Sequence, residues 1–482
     1  MNFRPVARFI ATTTAAVTVA ILFPIVWSAL EGGAGLRAMS LSFASGTVLC
    51  AALYYAGRDS SCSMMTAREA ILSVACSWAT ASAVVGLPYF YSGTAGFLDA
   101  IFEGVSGFTT TGATVLRDIE SMPRGILLWR SFSQWLGGIG VVVLTLAIFP
   151  MSAAGMQLYK AEVSGPIHER LTPRIQQTAA FLCKTYLALT TAEIFLLSLG
   201  GLDIFDSLTL SFSTLATGGF SPYSDNVGHF TGNYVKWITA IFLFLSAANL
   251  TFFHTLVTNK GGTRLKENPE LRFYIGVLIS FGVAASILLY RDGIFDSPLK
   301  SVTEGFFHTV SMLSTCGFFT TDYNVWPASV RFLMLTLMFC GGCAISTAGG
   351  ITCVRVLIIL KHITAEFSRR IHPRAIVPTR IGSKPVDAGV VASCFAFFAA
   401  YMGIFAVGFV LLTLFGLDMT TAISGVAATL GNVGPGFGMA GPTEGYSSLP
   451  DAVKCVYIFL MLCGRLEIFT LMVIFTPRFW RI

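Results

Sequence analysis

Charge is scarce in this sequence: Lys, Arg, Asp and Glu make up 12% of its 482 residues, and mean hydropathy is +0.72. Soluble domains carry roughly 25% charged residues, so a soluble globular protein is excluded. Histidine is equally thin, with six residues dispersed along the chain. His254 has no second ligand three or four positions on, so no metal site is assigned. HExxH, GxSxG and P-loop motifs are missing, which removes the commonest hydrolase and nucleotide-binding readings. One GxGxxG match, Gly436 to Gly441, lies in a loop without βαβ context and is a chance hit. An intramembrane enzyme is left as a distant alternative. The 11 cysteines sit mostly in apolar spans, Cys50, Cys76, Cys183, Cys340, Cys394 and Cys455 among them. They read as packed thiols.

What is present is apolar sequence, 54% of the chain, arranged as a polytopic membrane protein. Ten spans are expected, near 9–30, 39–57, 68–91, 125–150, 178–201, 234–258, 271–291, 328–361, 387–417 and 451–477. Placing both termini in the cytoplasm puts most of the 31 basic residues inside, the usual topology signal. The net charge of +6 therefore needs no nucleic acid to explain it. Acids fall outside, including Asp99, Glu103, Asp206, Glu304, Asp418 and Glu444, and should draw cations to the outer face.

Four stretches between these spans are poor transmembrane helices. Phe97 to Leu116 (FLDAIFEGVSGFTTTGATVL) is a short amphipathic run that breaks at a threonine-rich turn on Gly112. Its apolar part would reach only about 18 Å as a helix, roughly half a bilayer core. The design recurs at Ile204 to Phe220, Pro298 to Phe318 and Leu417 to Phe437, with Gly218, Gly317 and Gly434 aligned to Gly112. Irregular backbone at membrane depth survives only inside protein or along a wet cavity. Four turns on one axis would present carbonyls and the negative ends of half-helices, both suited to a dehydrated cation. The expected fold is an all-α membrane protein of four helix, re-entrant loop, helix repeats about a central pore. Residues 1–60 form an added helix pair, and the repeats run 61–155, 156–258, 259–361 and 362–482.

Repeat three stands apart. A helix over 329–361 would be about 50 Å long, too long for the core, and it carries Gly341-Gly342-Cys343-Ala344-Ile345-Ser346-Thr347-Ala348-Gly349-Gly350. Four glycines there cost about 4 kcal/mol of helix propensity. The segment is a gate candidate or a seam of small residues. In repeat one, Trp135 to Gly140 offers the same choice between close helix contact and a hinge. Arg465, within the last span, must face protein or water; it lines the pore or pairs elsewhere, with Glu193 for example. Two cytoplasmic loops, Gly155–Gln177 and Lys361–Asp387, are candidate docking surfaces.

The repeats and the strings QWLGGIGVVVLTLAIFPM, GMQLYKAEVSGPIHERLTPRI, STLATGGFS, GGCAISTAGG, LGNVGPGFG and GRLEIFTLMVIFTPRFWR resemble the TrkH/TrkG potassium-uptake subunits of the Trk/Ktr/HKT superfamily, over essentially the whole chain. The resemblance implies a homodimer in the bacterial inner membrane with one pore per protomer. It implies K+ as substrate ion, no cofactor bound by this chain, and a cytosolic nucleotide-binding partner of the TrkA type. Filter positions implied are Thr110-Thr111-Gly112, Ala216-Thr217-Gly218, Thr315-Cys316-Gly317 and Asn432-Val433-Gly434. The implied gate is 341–350 with Arg465 below the filter. Cys316 replaces a usual Thr, and Ile345 and Ala348 replace glycines common in the gate loop. Sodium- or proton-coupled symport stays open beside a passive pore.

Overall fold

A computed structural model describes residues 1–58, 65–148, 175–249, 268–344, 346–375, 377–382, 384–466 and 468–481. The chain begins with α1 (Phe3–Ala20) and α2 (Leu22–Leu30), which together make one apolar span, followed by α3 (Leu36–Ala56). Asn2 caps α1, and its own N–H donates to Glu69 Oε1 at 2.6 Å. Glu69 also completes the capping box with Thr66 that starts the next helix. One carboxylate thus anchors the N-terminal helices to the first repeat.

Each repeat has a first helix, a short helix and a second helix. The first helices are α4 (Ala67–Tyr91), α7 (Ile175–Leu199), α10 (Pro269–Arg291) and α14 (Ala388–Leu414). The short ones are α5 (Phe97–Phe108), α8 (Ile204–Leu215), α11 (Pro298–Leu313) and α15 (Met419–Leu430), and the second helices are α6 (Arg124–Ile148), α9 (Asn233–Ala247), α12 (Ala328–Cys340) and α16 (Asp451–Arg465). Apart from a two-residue hairpin, Arg380–Ile381 with Lys384–Pro385, the described secondary structure is helical.

Of the ten expected spans, six are single runs long and apolar enough to cross a bilayer: the α1–α2 run, α3, α4, α7, α10 and α14. The other four are the second helices, and every one of them breaks. Helix α6 turns at Gly140 (φ 73°), α9 gives way to extended backbone at Ala248, α12 stops at Gly341 (φ 71°), and α16 turns by 119° into α17 (Ile468–Met472) and the turn after it. Glycine clusters mark two of these breaks in the sequence, Trp135 to Gly140 in repeat one, where close helix contact is the other choice, and Gly341 to Gly350 in repeat three; nothing comparable marks the other two. In repeat three the interruption is long: residues 341–352 separate α12 from α13 (Cys353–Ile371). A final turn, α18 (Pro477–Trp480), packs through Phe479 near the first turns of α1 and α4.

Candidate functional site

The four short helices end in one geometry. The second residue beyond each helix is left-handed: Thr110 (φ 53°), Thr217 (51°), Thr315 (58°) and Asn432 (54°). The N–H after it closes back onto the helix, Thr111 to Ser106 O at 2.8 Å, Gly218 to Ser213 O at 2.8 Å, Cys316 to Ser311 O at 3.0 Å and Val433 to Ala428 O at 2.7 Å. These are Schellman caps, which normally place glycine at the left-handed position. Three β-branched threonines there are outliers of the kind that persist where a side chain is needed in place.

Two residues further on the chain is left-handed again, at Gly112 (φ 82°), Gly219 (84°), Gly317 (76°) and Gly434 (98°). In loop 2 this corrects the register read from sequence. The equivalent of Gly112 is Gly219, not Gly218, and the triplet matching Thr110-Thr111-Gly112 is Thr217-Gly218-Gly219 rather than Ala216-Thr217-Gly218. Ala216 is the helix cap.

These glycines interlock. A Cβ on Gly112 would strike Gly218 O, one on Gly219 would strike Cys316 O, one on Gly317 Val433 O, and one on Gly434 Thr111 O. Loop 1 therefore touches loop 2, loop 2 touches loop 3, loop 3 touches loop 4, and loop 4 touches loop 1. The contacts close a ring about one axis, with the carbonyl ends of four helices directed at it. Outside the ring is a cavity of roughly 330 Å³, bordered by Gly112, Gly219, Arg117, Arg130, Glu444 and Tyr446.

Ion pairs brace the ring, with Glu103 and Glu304 buried and Asp99 partly open to water. Arg130 Nε donates to Glu103 Oε1 at 2.7 Å and its Nη1 to Ser221 O at 2.8 Å, while Glu103 also accepts from Val115 N at 3.1 Å. One pair so fastens the outgoing strands of loops 1 and 2. Lys236 Nζ meets Glu304 Oε1 at 2.6 Å, and Lys454 Nζ meets Asp99 Oδ1 at 2.6 Å. The second helix of repeat two thereby grips the short helix of repeat three, and that of repeat four grips repeat one. Glu103 and Glu304 are 0% and 1% exposed, so these two acids, expected to draw cations at the outer face, are structural. Sequence reasoning missed Arg130, Gln134, Lys236 and Lys454, whose partners lie 27 to 355 residues away; only a polar or, for three of them, charged side chain inside an apolar span hinted at a role.

Beneath the ring lies 341–352. Cys343 N donates to Ala247 O at 2.9 Å and Ala344 N to Glu270 Oε1 at 2.6 Å. Thr347 Oγ1 donates to Leu215 O at 3.0 Å, the last residue of α8, and Gly349 N donates to Thr315 Oγ1 at 2.7 Å. The loop is thus hung from the inner surface of the ring by side-chain and backbone bonds. Gly342, Ala348 and Gly350 sit within it, and Ile345 lies outside the described residues. Arg465 reaches the same place: Nη1 donates to Thr347 O at 2.9 Å and Nη2 to Gly137 O at 2.8 Å. It joins the loop of repeat three to the helix turn of repeat one. Its described bonds are to these carbonyls rather than to Glu193, and the Trp135–Gly140 cluster proves to be the place where it lands.

A family model described as "TrkH: Cation transport protein" matches residues 39–482. Among curated proteins, the chain is 36% identical to the Trk system potassium uptake protein TrkH of Salmonella typhimurium, over 100% of both chains. It is 36% identical to TrkG of Escherichia coli, covering 89% of this chain and 88% of that one. The crystal structure of the potassium transporter TrkH from Vibrio parahaemolyticus superposes with a TM-score of 0.90 at 34% identity, over 100% of both chains. The four-repeat ring and full-length matches lead to one conclusion: the chain is an integral membrane protein of the TrkH cation transport family, a family of transporters and not of enzymes.

Proposed function

We propose that this chain takes up K+ across a bacterial inner membrane through the axis of the four-loop ring, with 341–352 and Arg465 as the cytoplasmic barrier. The closed cycle of glycine-to-carbonyl contacts carries the reading. Only a ring leaves carbonyls from four loops around one path, and carbonyl oxygens can replace the hydration shell of K+. The relatives' names, potassium uptake proteins of a Trk system, support the same ion. A fixed guanidinium under the ring raises the local barrier to a cation, and the loop beside it fills the path. A passive pore suffices for uptake, since 100 mV supplies about 2.3 kcal/mol per charge, on the order of 50-fold accumulation.

The Trk system naming also supports a regulatory partner; on the family resemblance we take it to be a cytosolic nucleotide-binding TrkA-type subunit and the chain to work as a homodimer. Its docking surface is the basic segment formed by the last turn of α13 and the residues after it, where Arg370 and Arg374 are exposed. Arg369 is engaged internally, donating to Val377 O and pairing with Glu366, so it holds the segment's shape. The other docking candidate, 155–177, lies almost wholly outside the described residues. Neutralising Arg370 and Arg374 together should weaken co-purification of the partner; wild-type recovery in moderate salt would count against this surface.

Reconstitution into liposomes with a K+ gradient tests the function. A Nernstian K+ reversal potential independent of pH and Na+ is expected. A potential that follows the proton or Na+ gradient would replace the pore with symport.

A further inference from the structure

We propose that Asn226 and Tyr446 set the outermost ion position by withholding two carbonyls from it. The inference rests on the ring being the K+ path. In loop 2 Asn226 Nδ2 donates to Gly219 O at 3.0 Å, and in loop 4 the Tyr446 hydroxyl donates to Gly434 O at 2.7 Å. Gly219 and Gly434 occupy the same register position on opposite loops. Among the described residues no donor is directed at the carbonyls of their counterparts, Gly112 and Gly317. One level inward, among the described residues only Gly218 O is engaged, by Gln134 Nε2 at 2.5 Å. At the innermost level, Thr110, Thr217, Thr315 and Asn432, no carbonyl accepts a hydrogen bond from the described residues. The ring so offers four uncommitted carbonyls inside, three in the middle and two outside.

Both donors are built into their places. Asn226 Oδ1 accepts from Val227 N at 3.0 Å and Phe319 N at 3.4 Å, which leaves its amide nitrogen facing Gly219 O. Its own backbone is left-handed (φ 55°), a conformation asparagine tolerates well. Tyr446 is 1% exposed and its ring lies 5.5 Å from Phe102 and 5.1 Å from Tyr457, side chains of α5 and α16.

The consequence is chemical. A carbonyl bonded to a buried donor has its direction fixed and part of its field committed, and two opposed carbonyls cannot replace a hydration shell. K+ therefore keeps water at the outermost position and sheds it one level further in. The outer position is a low-affinity seat for a hydrated cation, reached from the cavity that Tyr446 borders.

Tyr446→Phe removes one donor with little change in shape. Measured as initial K+ influx into liposomes against external K+, its half-saturating concentration should fall about three- to tenfold, the scale of one hydrogen bond. Asn226→Gly, which suits the left-handed backbone, repeats the test on the opposite loop should the first variant fail to fold. An unchanged half-saturation overturns the inference. So does a higher one accompanied by lost preference for K+ over Na+, which would mean that the donors shape the loops instead. Absent influx in the wild type would sink the pore reading itself; wild-type influx with unaltered variants sinks this one alone.

Discussion

The outer and inner halves of the second helices and their loops obey different rules. In the outer half, four loops share the same cap, the same pair of left-handed residues and the same contact with the next loop. In the inner half, four helices break at four different sequences, and among the described residues only repeat three shows a long inserted loop while only repeat four brings an arginine to it. Repetition is kept where an ion must be surrounded. It is abandoned where a single element must move or stay, because a barrier needs one obstruction and not four.

The strongest way to break the outer half is Gly219→Ala. Its left-handed backbone costs an alanine about 1–2 kcal/mol, and the new methyl would run into backbone at Cys316 O, which cannot swing aside. Loss of K+ preference over Na+, or loss of folded protein, is expected in flux and thermal unfolding of the purified variant. Gly218→Ala is the control for register: its methyl would meet the carboxamide of Gln134, a side chain, so Gln134→Ala should relieve it. No second substitution of that kind should relieve Gly219→Ala. If Gln134→Ala rescues neither, or if Gly219→Ala conducts normally, the assigned register is wrong.

Next in size are the junctions between repeats. Lys236→Met leaves Glu304 buried with only the Thr320 hydroxyl and nearby His308 to compensate it, and breaking such a pair costs about 3 kcal/mol or more. Lys454→Met leaves Asp99, which is 34% exposed and open to water, so the loss should stay near 1 kcal/mol or below. Thermal unfolding in detergent should rank Lys236→Met well below Lys454→Met. Equal losses would mean that the two junctions are held by something other than these pairs.

Sequence revealed the outer half better than the inner. The short helices, their polar turns and three of the four glycine positions were readable because a threonine or asparagine and then a glycine follow each amphipathic run at the same distance. Loop 2 slipped by one residue because Gly218 and Gly219 are adjacent, and only backbone φ distinguishes them. Below the ring, the break at 341–352 was legible from its glycines. That at Ala247–Ala248 was not, since no residue there disfavours a helix strongly and tertiary bonds from Cys343 hold it. Ion-pair partners were invisible for a different reason: Lys454 and Asp99 meet only because the ring closes.

Arg465→Ala breaks the inner half alone. The arginine donates to carbonyls of Thr347 and Gly137, and hydrogen bonds from a charged donor are worth about 1.5–3 kcal/mol. Flux per folded molecule should rise about tenfold or more, and dependence on the regulatory subunit should fall. The outer half should keep its K+ over Na+ ratio unchanged. Lower thermal stability with unaltered flux per folded molecule would make Arg465 a strut and not a barrier.

The smallest expected change separates charge from latch. Thr347 Oγ1 donates to Leu215 O at 3.0 Å and lies 3.3 Å from Ser246 O, so it ties the loop to an orphan carbonyl at the end of α8. Thr347→Val removes that donor and keeps the side-chain volume, at a cost near 1 kcal/mol. The backbone carbonyl that Arg465 uses is untouched, because it belongs to the main chain of the same residue. Flux should rise at most about fivefold, less than for Arg465→Ala, and the double variant should exceed both. If Thr347→Val alone matches Arg465→Ala and the double variant adds nothing, the loop is held by the neutral latch, and the guanidinium acts only through Thr347.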